Sequence, residues 1–112
     1  MRPISAVEIE YSPFALDIES EQIKLLKTCR ELGVAVIAYS PLGRGMLTGA
    51  YESPDDFDAS DMRRFLPKFS PKNFPKNLKI VEEFAAFAKG CKPEQLTLAW
   101  LMAQGDDMFP IP

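Results

Sequence analysis

The 112-residue chain is 46% hydrophobic and 26% charged, a balance that suits one small globular domain or a piece of a larger one and argues against general disorder. Its net charge of −3 and pI near 4.9, with lysine and arginine scattered along the chain, leave no basic field for a nucleic-acid partner. No apolar run approaches the roughly 20 residues of a membrane-spanning helix, and the first residues lack a charged segment followed by an apolar one, so no membrane partner is expected and a cytoplasmic address is.

The first element is a strand over Ile4–Glu10, with Val7 and Ile9 on one face and Glu8 and Glu10 on the other. "SPF" closes it. Asp17 is placed as a helix N-cap, Glu19 and Glu21 suit the positive end of the dipole, and Ile18, Ile23, Leu25, Leu26, Cys29 and Leu32 form an apolar stripe ending at Gly33. One helix from about 18 to 32 follows. "GVAVIAYS" is a near-continuous run of β-branched and small apolar residues, as in a strand covered on both faces. Strand, helix, strand in this order means a βαβ unit with parallel strands.

The chain then turns polar and rich in proline, so 51–72 reads as one long irregular loop, a length usually reserved for lids and binding segments. A helix starting between Asn73 and Asn77 and ending near Lys89 carries Leu78, Val81, Phe84, Ala85 and Ala88 on its inner side. "GCKP" breaks it. Pro93 suits a first helical turn, and "EQLTLAWLMAQ" is apolar nearly all round, which predicts a deeply buried second helix. Gly105 ends that helix, and "MFPIP" reads as a last short strand. Three strands cannot close a barrel and would leave two long unpaired edges, so the fold class is α/β and the chain reads as a slice of a larger fold.

Cys29 and Cys91 lie far apart, one on a helix and one at a helix junction, and show no redox or metal spacing. Both read as structural or idle thiols. The absence of histidine removes the commonest general base and metal ligand. Glu8 and Glu10 share a strand face, and two carboxylates at that spacing point the same way, whereas a glycosidase pair faces across a sugar bond over about 5 to 10 Å. They read as solvated or hydrogen-bonded groups.

The distinctive stretch is "SPLGRGMLTGA", where a core strand ends in Gly43, Gly45 and Gly49 around Arg44. It is neither a Walker A loop nor a GxGxxG dinucleotide fingerprint. Glycines at the carboxyl end of a parallel strand let backbone amides approach an anion, with Arg44 adding charge; a plain turn at a barrel rim is the equal alternative.

Four segments, "PISAVEIEYSPF", "GVAVIAYSPLGRGMLTGAY", "DMRRFLPKF" and "KPEQLTLAWLMAQG…PIP", together resemble the aldo-keto reductase family over essentially the whole chain, and most closely its fungal and plant reductases of small aldehydes and ketones. The resemblance implies a (β/α)8 TIM barrel using NADP(H), of which residues 1–112 are a partial oxidoreductase domain covering about strands six to eight. It implies that Ser40, Pro41, Leu42, Gly43 and Arg44 lie along the cofactor pyrophosphate, that Tyr11 stacks on the nicotinamide, and that Arg63 belongs to a loop folding over the cofactor as a clasp. Glu8 falls where the family usually has a glutamine bonded to the carboxamide; ionised, it accepts from the amide nitrogen but cannot donate to the oxygen. Ala50 stands where many members have lysine. The family's Asp-Tyr-Lys-His tetrad belongs to earlier strands and its 2′-phosphate segment follows strand eight, so the chain alone is expected to be inactive. The alternative is a non-catalytic remnant or interaction module using its exposed strand edges.

Overall fold

The computed structural model describes residues 2–112. Strands β1 (Ala6–Glu10), β2 (Ala35–Tyr39) and β3 (Met108–Ile111) form one parallel sheet in the order β1-β2-β3. Parallel pairing is what the helix between β1 and β2 requires. The register puts Val7 beside Val36 beside Met108, and Glu8 beside Ile37 beside Phe109. Period-two alternation therefore sends the first row to the core and the second to the other face. Pro110 cannot donate to a ladder and sits in β3, which has a partner on one side only.

The chain divides into two compact units, the first comprising the chain to Gly43 with Thr97–Pro112, the second Arg44–Leu96. In the first, Tyr11, Ile18, Leu26, Cys29, Val34, Val36, Ala38, Leu101 and Met108 make one buried cluster, with Val7, Ile9, Leu25 and Trp100 packed against it. Helix α1 (Leu25–Leu32) covers the sheet through Leu26 and Cys29 and ends at Gly33, whose φ of 66° is the left-handed stop that glycine adopts without strain. Arg30 ties α1 to the approach of β3, its Nε donating to Asp107 Oδ2 at 3.1 Å and its Nη2 to the Gln104 carbonyl.

The second unit has its own core. Met46, Leu47, Phe57, Phe69, Phe74 and Val81 are buried, and the Phe57 ring lies edge-on to Phe69 and Phe74 with centroids 5.5 and 6.1 Å away. Helix α2 (Phe74–Phe87) turns Leu78, Val81, Phe84, Ala85 and Ala88 inward, the stripe its periodicity predicts. Residues 51–72 are less irregular than the prolines suggest, holding three short 3₁₀ turns at Pro54–Asp56, Met62–Phe65 and Pro67–Phe69.

Three expectations need correction. The helix expected over 18–32 is a 3₁₀ turn at Asp17–Glu19, then α1, with Lys24 left-handed at φ 51° between them. Ser20 causes the break: its hydroxyl accepts from the Ile23 N–H and its carbonyl from Lys24, a local turn that competes with the helix. Asp17 accordingly lies inside the turn, with Leu16 at the cap, and Ile23 and Leu32 are exposed. Helix α3 (Pro93–Met102) buries only Thr97 and Leu101, because a helix apolar all round needs cover on every side. β2 is likewise closed on one face, by Val36 and Ala38, while Ala35, Ile37 and Tyr39 are half-buried.

Candidate cofactor site

Parallel pairing brings the carboxyl ends of β1 and β2 to one edge. The Tyr11 N–H donates to the Tyr39 carbonyl at 3.4 Å, so Tyr11 and Ser40 leave the sheet side by side. In parallel α/β folds this edge is where ligands bind. Immediately beyond it the backbone turns left-handed: Ser40 has φ 48°, and after the buried Pro41, Gly43, Arg44 and Gly45 follow at 60°, 57° and 91°. Ser40 accepts from the Gly43 N–H at 3.0 Å and closes the first turn. Each side chain forced left-handed costs about 1–2 kcal/mol. Of the three non-glycine residues so strained among the described residues, two, Ser40 and Arg44, are in this loop. Such strain persists only where the surrounding structure over-determines it.

What holds it was not visible from the glycines. Met46 and Leu47 are buried and anchor a 3₁₀ turn in the second unit, while Thr48 donates to the Gly45 carbonyl at 2.6 Å and accepts from the Ala50 N–H at 3.2 Å. The apolar pair "ML" set between glycines was the available signal.

Glu8 is exposed on the sheet face away from the core. Tyr11 is placed differently from a stacking platform: it is 0% exposed, its ring lies 5.7 Å from that of Trp100, and its hydroxyl donates to the Glu19 carboxylate. Burial, and then the bond to and charge of Glu19, push the Tyr11 phenol well above its usual value. Stability contributed by the protonated phenol is complete below the unfolded value of about 10 and is lost as pH rises above it, because unfolding then releases the proton. The urea midpoint of the wild type is therefore expected to fall faster above about pH 10 than that of Tyr11→Phe. Parallel curves would show that the phenol is not held in this way.

Arg44 is exposed, and Arg63 donates from Nη1 to the Arg44 carbonyl at 3.0 Å. The sequence-predicted residues thus fall into two sets. Glu8, Tyr11 and Ser40–Gly43 belong to the sheet unit, and Arg44 and Arg63 meet in the second unit. Asp61, which grips Arg63, and Trp100, which covers Tyr11, were missed. The Tyr11 ring, closed off by Trp100, offers a nicotinamide no free face in this conformation.

An open three-stranded parallel α/β sheet with a strained glycine loop at its carboxyl edge is a slice of a (β/α)8 barrel. The chain is a member of the aldo/keto reductase family, whose profile matches residues 2–112. It is 55% identical over 114 residues to an aldo-keto reductase of Strobilurus tenacellus and 54% identical over 112 residues to an NADP(+) aldo-keto reductase of Schizosaccharomyces pombe. These alignments take in 100% and 98% of this chain but 34% and 33% of those proteins, so the chain spans about a third of their length. Among solved structures it resembles a glycerol dehydrogenase of Gluconobacter oxydans, with a TM-score of 0.85 at 27% identity over 98% of this chain and 34% of that one.

Proposed function

We propose that this chain supplies the nicotinamide and pyrophosphate side of an NADP(H)-dependent reductase that converts aldehydes or ketones to alcohols in the cytoplasm. The observation that carries the reading is the left-handed backbone at Ser40 and Gly43, directly after the carboxyl end of β2 in a parallel sheet. Bound NADPH supplies hydride to the substrate carbonyl carbon. The chain's own part is to hold and orient: backbone of Ser40–Gly43 and the Arg44 cation at the pyrophosphate, and Glu8 accepting from the carboxamide nitrogen. Tyr11 stacks only if its ring turns out from under Trp100, so its engagement is coupled to loss of the Glu19 bond. No catalytic group is assigned to this chain, which carries no histidine.

Trp100, the single tryptophan, is a built-in reporter. Titration with NADPH is expected to quench its emission saturably and to protect 40–50 from proteolysis, with no turnover of aldehydes by the 112-residue chain. The absence of both quenching and protection at millimolar NADPH would sink the reading, and robust turnover would overturn the assignment of no catalytic group. A second reading rests on β1 and β3, each paired on one side only, with Phe109 and Ile111 exposed at 53% and 44%. There the edges take strands of another polypeptide, and the chain would be recovered as a defined complex and not as the monomer or an aggregate.

A further inference from the structure

Arg63 sits in the second unit's loop layer with all three of its guanidinium nitrogens engaged. Nε donates to Asp61 Oδ1 and Oδ2 at 3.0 and 3.1 Å, Nη2 to Oδ2 at 2.6 Å, and Nη1 to the Arg44 carbonyl at 3.0 Å. Asp61 is itself fixed, since it accepts the Arg63 N–H at 2.8 Å as the cap of the Met62–Phe65 turn. These bonds hold its carboxyl down from 3.8 to about 2, so it stays ionised across the neutral range. The guanidinium carbon is 4.7 Å from the Tyr51 centroid and 4.4 Å from that of Phe57, and the two rings are 4.7 Å apart. Those distances form a nearly equilateral triangle, so Arg63 caps a ring pair as a cation over two π faces.

Gly45 supplies the second observation. A Cβ there would lie 3.0 Å from Tyr51 Cε2 and 3.2 Å from Arg63 Nη1. The space opened by this glycine is thus filled by Tyr51 and Arg63, and not left for a ligand. We propose that Arg63 is a positioning residue: held by Asp61 and stacked on Tyr51 and Phe57, it fixes the Arg44 carbonyl and with it the left-handed turn, and does not itself bind a cofactor phosphate. A phosphate would have to displace a carboxylate that is two residues away in the chain and already bonded to two guanidinium nitrogens, Nε and Nη2.

The inference rests on the reading that this loop meets NADPH only for its binding arm; its structural arm stands alone. Site-resolved amide exchange is compared for the wild type, Arg63→Ala, Arg63→Lys and Asp61→Asn. Exchange at Thr48 and Gly49, whose N–H groups bond Gly45 and Met46, is expected to rise about tenfold in all three variants, with β2 amides unchanged. Lysine cannot reproduce a planar fork, so Arg63→Lys is expected to fail as alanine does. In NADPH binding the two roles part in sign. A phosphate ligand freed from Asp61 would bind tighter in Asp61→Asn, whereas a lost clamp weakens binding several-fold and leaves its salt dependence at the wild-type slope. Tighter binding in Asp61→Asn, rescue by Arg63→Lys, or unchanged exchange in the loop would each overturn the proposal. A wild type that binds no NADPH would count against the cofactor reading, and the exchange data would still decide the clamp.

Discussion

Phe57→Ala is expected to cost about 3–5 kcal/mol, the largest effect of any single substitution considered for this chain. The ring is 3% exposed, meets Tyr51, Phe69 and Phe74, and carries the Arg63 guanidinium at 4.4 Å. Alanine leaves a cavity between three aromatic rings that cannot all close on it, and removes one π face from a cation worth about 0.5–2 kcal/mol. Because stabilities of small domains are only about 5–15 kcal/mol, the second unit should lose most of its cooperative unfolding. Urea unfolding followed by circular dichroism measures this. A loss under about 1 kcal/mol would mean that the aromatic cluster is not the core of the unit.

Gly45→Ala is expected to cost about 2–3 kcal/mol and to weaken NADPH binding, for two separable reasons. One is conformational, because φ is 91°; the other is contact, because the new methyl would press on the Tyr51 ring and Arg63. Gly49→Ala separates them. Gly49 is also left-handed, at φ 71°, but an added Cβ meets nothing within 4 Å, so alanine there should cost only about 1 kcal/mol. Equal losses at 45 and 49 would show that strain alone matters and that the clamp does not press on Gly45.

The family and the barrel class were legible because four motifs stand in register along the chain, and the βαβ order forces parallel strands whatever surrounds them. The alternation of Val7 and Ile9 with Glu8 and Glu10, and the inner stripe of α2, were legible for the same local reason: a fixed period decides which side chains share a face. Where the expectation failed, another group competed for the backbone. Ser20 turned the chain before α1 could begin, and α3, apolar all round, found a partner on only one side.

At the site the division is similar. The loop, its glycines and Arg44 could be read from "SPLGRGMLTG", because positive φ and charge are properties of residue type. That Tyr11 is sealed under Trp100 and bonded to Glu19 depends on a residue 89 positions away and on burial, which no local pattern encodes. The sequence by itself determined the strand and helix order, the family, and a permissive loop after β2. Only the tertiary structure decided that Arg63 Nη1 meets the Arg44 carbonyl, 19 positions away, because a guanidinium takes whichever acceptors packing brings within about 3 Å of it.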